Sequence, residues 1–161
     1  MTIRQAIEND LDEILNLFYE TVTSVCKADY NEEQIKVWAS FAKKNQKWLD
    51  RIKKQYFLVA ELDNKIVGFG SMEKGDYLDL LYIHKNYLRQ GVANRLLTEL
   101  EDETLRQQKY LISSDVSITA RPFFEKHGYK VTKEQRNKFD NIEIINYKMT
   151  KEMPHKIGKD K

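Results

Sequence analysis

One carboxylate stands inside an otherwise apolar run, Leu78-Asp79-Leu80-Leu81-Tyr82-Ile83. Such a run reads as a strand, and a carboxylate held in apolar surroundings has its pKa pushed up toward that of a useful proton acceptor. On the period of two, Asp79 shares a face with Leu81 and Ile83. Two readings of Asp79 are open: a general base, or a structural carboxylate satisfied by neighbouring N–H groups. A few residues on, the chain reads Leu88-Arg89-Gln90-Gly91-Val92-Ala93-Asn94-Arg95-Leu96-Leu97. A glycine and a small residue at a helix start leave backbone N–H groups open, and with the helix dipole these suit phosphate oxygens. Gly91 permits close backbone approach, Ala93 does not block it, and Arg89 adds a cation matched to phosphate. The alternative is an ordinary helix start after a glycine turn.

Other reactive side chains are scattered. His84, His127 and His155 stand at no spacing that suits a catalytic triad or a metal, and no metal site is expected. His127 precedes Gly128 and reads as a cation at a helix C-terminus. The single cysteine, Cys26, excludes an internal disulfide and reads as a small apolar packing residue.

The elements that must position these groups follow from periodicity. A short first strand over residues 2–7 is expected, then an N-cap at Asn9 or Asp10. Leu11, Leu15, Phe18, Val22 and Val25 recur at helical spacing. A second helix starts after Asn31, and a third short one surrounds Trp48 to Lys53. Tyr56 to Leu62 and Lys65 to Met72 flank Asp63-Asn64 and predict a hairpin. Leu78 to Ile83 is a strand, residues 92–107 a helix, Tyr110 to Val116 a strand, and Ala120 to His127 a helix ended by Gly128. Tyr129 to Thr132 and Glu143 to Met149 close the pattern as strands. The strand–helix–strand crossover over 78–116 predicts one parallel pairing in a mixed sheet. The fold expected is α/β (α+β).

With 161 residues, one domain is expected, over residues 1–150, followed by a polar tail over 151–161. Hydrophobic residues make up 41% and charged residues 32%, a globular rather than a disordered balance. A net charge of +2 gives little ground for a nucleic-acid binder, so none is expected as partner. No apolar run approaches the roughly 20 residues of a membrane span, and no secretory signal stands at the start, so a cytoplasmic protein is expected, with a homodimer as the common default.

The Gly91-Val92-Ala93 loop and the stretch Pro122-Phe123-Phe124-Glu125-Lys126-His127-Gly128-Tyr129 together resemble the GNAT superfamily of acyl-CoA N-acyltransferases. That family carries Gln/Arg-x-x-Gly-x-Gly/Ala between a strand and a helix, and an aromatic-rich helix before a Gly-aromatic pair. Leu88 stands at the Gln/Arg position and departs from the pattern. Tyr30, Gln34 and Trp38, at four-residue steps, with Ser117-Ile118-Thr119-Ala120-Arg121, resemble a largely uncharacterised bacterial subgroup.

The resemblance implies a mixed, mostly antiparallel sheet of six to seven strands flanked by helices. It implies transfer of an acetyl group from acetyl-CoA to the amine of a small molecule or protein, without a metal. Leu81 and Ile83 would offer backbone groups to the pantetheine arm. Gln90, Gly91, Val92, Ala93 and Asn94 would surround the pyrophosphate with Arg89 beside it, and Phe124 would pack along the arm. Asp79 is the first candidate base and Glu73, near the end of the preceding strand, the second. The family's usual tyrosine acid is Phe124 here, and a phenyl ring donates no proton, so Tyr82, Ser117 or water takes that place. Tyr30, Gln34 and Trp38 would wall the acceptor pocket, or Trp38 is core and the others edge it. An acyl-CoA-binding regulatory module without catalysis is the alternative to an enzyme.

Overall fold

The computed structural model describes residues 1–155. Seven strands form one sheet: β1 (Thr2–Gln5), β2 (Tyr56–Leu62), β3 (Lys65–Glu73), β4 (Tyr77–Ile83), β5 (Leu111–Ser117), β6 (Lys130–Phe139) and β7 (Ile142–Glu152). Their spatial order is β1-β2-β3-β4-β5-β7-β6. Every pairing is antiparallel except that of β4 with β5. The helices are α1 (Leu11–Ser24), α2 (Glu32–Ser40), α3 (Asn45–Lys54), α4 (Val92–Arg106) and α5 (Arg121–Lys126). The α/β class, the mostly antiparallel sheet and the parallel crossover through α4 agree with the sequence reading.

Two apolar layers sandwich the sheet. On one face Leu96 and Leu100 of α4 and Phe124 of α5 pack with Leu78, Ile83 and Val116. On the other, Ile14 and Phe18 of α1 and Trp48 of α3 pack with Phe57, Phe69 and Leu80. The α1 stripe forms because its apolar residues fall on one side of the helix, and Ile14, Leu15, Phe18 and Val22 are all buried. At the start of α2, the Asn31 side chain accepts from the Gln34 amide, and the Gln34 side chain accepts from the Asn31 amide, each at 2.8 Å. The β2–β3 turn puts Asp63 and Asn64 at φ 51 and 64, the mirror-type turn that suits a right-twisted hairpin.

Three elements differ from expectation. The strand β6 continues through Phe139, although residues 133–138 are a Lys-Glu-Gln-Arg-Asn-Lys run without apolar alternation. Among the described residues it is an edge strand paired only with β7, so its ladder rather than burial holds it, and charge on such an edge is usual. The chain is not yet a tail at 151: β7 runs to Glu152, Met153 is buried with its N–H on the Tyr110 carbonyl, and His155 stacks on Tyr110. The rest of the expected tail, 156–161, lies outside the described residues. Tyr30 precedes the N-cap Asn31, so Tyr30, Gln34 and Trp38 do not form a single helix face.

Candidate active site

Among the described residues the parallel strands β4 and β5 pair only where β4 begins, Tyr77 with Ser113 and Leu78 with Ser114 in the middle of β5. At that point the Ser114 hydroxyl donates to the Leu78 carbonyl at 2.7 Å, satisfying a buried oxygen where the ladder stops. Beyond it the strands make a fork, and a cleft of about 1020 Å³ opens between them. The His84 amide donates to the Val67 carbonyl at 2.9 Å, which fixes the alternation along β4. Leu81 and Ile83 therefore turn their backbone groups away from β3, toward the cleft, where no strand among the described residues meets them. The Ile83 carbonyl is already occupied in part, accepting from the Thr21 hydroxyl of α1 at 3.1 Å.

The cleft leads from this edge to the start of α4. Gly91 is the N-cap at φ 84, with no side chain to close the helix end. The first helical bond is donated by Arg95 to the Gly91 carbonyl at 3.1 Å, so the amides of Val92, Ala93 and Asn94 lack helical acceptors. A Cβ added at Gly91 would meet nothing within 4 Å; glycine is required here by its left-handed backbone, and the space beside it is open. Arg89, also left-handed at φ 61, and Lys126 line the same end of the cleft. His127 borders it, with Nδ1 2.8 Å from the Phe123 carbonyl and Nε2 3.0 Å from Asn94 Oδ1. Open amides, two cations and room beside Gly91 suit a polyphosphate. Among the residues expected there, Arg89, Gly91, Ala93 and Asn94 line the cleft, whereas Val92 is buried and Gln90 turns its side chain to the Asn86 carbonyl. The position of α4 depends on Gly68 of β3, where a Cβ would stand 2.9 Å from both Ile83 Cδ1 and Val92 Cγ1.

Asp79 does not share a face with Leu81 and Ile83. The β3–β4 ladder shifts between Ser71 and Met72, which pair with Leu80 and Leu78, leaving Asp79 as the extra residue of a bulge. The bulge breaks the period of two: Leu78 and Ile83 pack on the α4 side, Leu80 on the α1 side. Asp79 lines the cleft, and its Oδ2 is held by Gln55 Nε2 at 2.9 Å and Arg51 Nε at 3.2 Å from α3 and its C-cap. Its surroundings are therefore charged and polar rather than apolar.

Glu73 is exposed at the far end of β3, paired with Tyr77, and does not line the cleft. Tyr82 lines it from an aromatic cluster, 5.1 Å from Phe18 and 5.5 Å from Phe69 between ring centres. Burial pushes its phenol well above the ordinary range, with the indole of Trp38 opposing weakly. Phe124 is buried, packed at 5.1 Å on Tyr129, and borders the cleft from below. Its neighbour Phe123, which sequence reasoning missed, is half-buried, lines the cleft and lies 4.3 Å from the His127 ring. The Ser117 hydroxyl accepts from the Ala120 amide at 3.0 Å.

Tyr30 and Trp38 do line the cleft, their rings 5.2 Å apart. The Tyr30 hydroxyl is committed: it donates to the Ile145 carbonyl at 2.7 Å and accepts from the Ile118 amide at 2.9 Å. Burial pushes its pKa up to about 12. Gln34 is a structural tie rather than a pocket wall, because its side chain caps α2 and donates to the Glu143 carbonyl at 2.7 Å. Asp115 and Asn146, on β5 and β7, complete the wall and were not singled out by sequence. Asp115 sits in an alternating strand whose apolar residues drew the reading, and nothing local marks its exposed side as the cleft side.

The relatives of this chain share the architecture. An acetyltransferase (GNAT) domain family model matches residues 26–151. The chain is 30% identical over 153 residues to the uncharacterised N-acetyltransferase YafP of Escherichia coli K12, covering 95% of this chain and 97% of that one. A crystal structure of a GCN5-related N-acetyltransferase from Rhodopseudomonas palustris superposes with a TM-score of 0.91 at 29% identity, over 94% of this chain and 95% of that one. The PaiA N-acetyltransferase of Thermoplasma acidophilum, solved in complex with coenzyme A, has the same fold, with a TM-score of 0.77 at 21% identity over 94% and 98% of the two chains. A fork between parallel strands that runs into an open helix start, on a chain matched along most of its length, has one family explanation: the protein belongs to the GNAT superfamily of acetyltransferases.

Proposed function

We propose that this protein moves an acetyl group from acetyl-CoA to a primary amine. The observation that carries the reading is the continuity of one cleft, from the unpaired edge of β4 at Leu81 and Ile83 to the uncapped start of α4 at Gly91. Acetyl-CoA, when bound, supplies an acyl group activated as a thioester. The amides of Val92, Ala93 and Asn94, with Arg89, hold its phosphates, and the β4 edge pairs with its arm as an added strand does. Phe123 and Phe124 cover the arm and keep water from it. The Leu81 amide faces the carbonyl oxygen that gains charge during transfer.

The acceptor amine must be neutral to react, so a group in the fork has to take its proton. Asp79 fills that role. Its Oδ2 is held by Arg51 and Gln55, while no hydrogen bond is made to its Oδ1 among the described residues. Tyr82 keeps its proton, since burial raises its pKa far beyond that of a thiol, and the departing sulfur takes its proton from solvent.

Release of free thiol from acetyl-CoA in the presence of a panel of primary amines tests the reading. Turnover with at least one amine is expected, and the Asp79→Asn protein should lose about 100-fold or more in kcat with unchanged affinity for coenzyme A. Full activity in that variant removes Asp79 as the base. Tight cofactor binding with no turnover on any amine replaces the enzyme by an acyl-CoA-binding regulatory module.

A further inference from the structure

The charges lining the cleft are sorted by end. Arg89 and Lys126 line the α4 end, and Asp79 and Asp115 line the fork. The fork carboxylates are not equivalent. Asp79 is ion-paired to Arg51 at 3.2 Å, which balances its charge. Asp115 is held only by neutral donors: the Tyr77 hydroxyl on Oδ2 at 2.6 Å and Gln135 Nε2 on Oδ1 at 2.8 Å. Lys148 stands across the ladder from Asp115; both are exposed, but they make no ion pair among the described residues, and Asp115 lines the cleft whereas Lys148 does not. Among the described residues the acceptor half of the cleft thus carries one unmatched negative charge and no cation in its lining.

The remainder of that half is aromatic. The Tyr30 and Trp38 rings lie 5.2 Å apart, and the Phe41 and Phe139 rings, from opposite walls, also 5.2 Å. Asn146 adds a polar group, but its Oδ1 already accepts from Gln135 and Asn137 at 2.9 and 3.0 Å. Ile144, on the same side of β7, packs with Cys26 and Tyr30.

From this distribution we infer that the acceptor is a monocationic alkyl- or arylalkylamine without a carboxylate, and that Asp115 selects it by pairing with its ammonium form. The inference rests on the acetyl-transfer reading and names its substrate class. A simple amine is almost wholly an ammonium ion at neutral pH, since its pKa lies near that of lysine at about 10.4. Asp115 draws that ion into the fork, the aromatic walls cover the apolar body, and Asp79 then takes the proton. A substrate carboxylate finds no lining cation here, since Arg51 is held by Asp79 and Lys44 lies over the Phe41 ring outside the lining, and it meets the unmatched charge of Asp115. A polyamine brings charges that one free carboxylate leaves unmatched. Tyr77 and Gln135 act as positioning residues that hold the Asp115 oxygens.

The test pairs 2-phenylethylamine with phenylalanine, which adds only a carboxylate, and with spermidine. Titration calorimetry on protein saturated with coenzyme A reads acceptor binding without turnover, and steady-state kinetics reads KM and kcat separately. Phenylethylamine is expected to bind, and to exceed both others in kcat/KM by about tenfold or more. Asp115→Asn should raise the KM for phenylethylamine about tenfold or more while kcat stays within about threefold, and Asp115→Glu should restore part of the loss. Tyr77→Phe, which keeps the carboxylate but loosens it, should give a smaller rise in KM. If coenzyme A binds and an amine is acetylated, yet phenylalanine or spermidine is preferred, or Asp115→Asn leaves KM unchanged, this assignment is overturned and acetyl transfer stands. If coenzyme A binds and no member of the panel binds, the assignment is equally overturned. If coenzyme A itself does not bind, it is the acetyl-transfer reading that fails.

Discussion

Gly91 shows how one residue serves fold and site differently. A leucine there would strain a backbone held at φ 84, at about 1–2 kcal/mol, but would strike no protein atom within 4 Å. Its side chain would instead enter the open space beside the α4 amides. Gly91→Leu is therefore expected to fold with modest loss of stability and to lose about tenfold or more in coenzyme A affinity, or about 1.4 kcal/mol. Calorimetric titration of the variant checks this, and unchanged affinity in a folded protein removes the phosphate cradle from this loop. Asp79 teaches the opposite lesson. Its type and apolar neighbours mark it in the sequence, but the bulge that sets its direction depends on the β3 register, and its partners Arg51 and Gln55 lie more than twenty residues away.

At the scale of elements, the fork is a matter of what β4 and β5 do not pair with. Ser114 ends the shared ladder on the Leu78 carbonyl, and Gly68 lets α4 settle against β3. Gly68→Ala would push on Ile83 and Val92 from 2.9 Å, and overpacking of this kind costs about 1–3 kcal/mol. A fall of that size in denaturant unfolding is expected, with weakened coenzyme A binding because the first residue of α4 moves; unaltered stability would show that the helix is not docked this tightly. The α1 stripe, the Asn31 cap, the Asp63-Asn64 hairpin and the α4 crossover were legible because each is encoded within a short window. The β6 extension and the acceptor wall were not. A polar edge strand has no periodic burial to betray it, and Asp115 acquires its place only when β7 and β6 dock beside β5. Gln34 misled because it stands three residues after Asn31, where its side chain closes a capping box, as well as four before Trp38.

The whole molecule carries its buried tyrosines as an alkaline weakness. Burial raises Tyr77, Tyr82 and Tyr129 well above the ordinary range, and Tyr30 from 10.0 to about 12. In the unfolded chain these phenols ionise near pH 10, while in the folded protein they stay protonated. The folded state then binds more protons, so stability falls as pH rises. For Tyr30 the loss sets in near pH 10 and is complete as pH passes about 12. Thermal unfolding followed from pH 8 to 11 should show a flat region and then a steep decline above 10; a melting temperature that stays level to pH 11 contradicts the burial of these hydroxyls. The central claim, that the cleft between β4 and β5 is a coenzyme A site, is tested most directly by thermal unfolding with added coenzyme A and acetyl-CoA. At 100 times its dissociation constant, a ligand that binds only the folded state adds about 2.7 kcal/mol, a rise of roughly 5–10 °C for a domain of this size. A saturable rise of that order is expected, and it should be reduced in Gly91→Leu. No rise at millimolar ligand would contradict the claim.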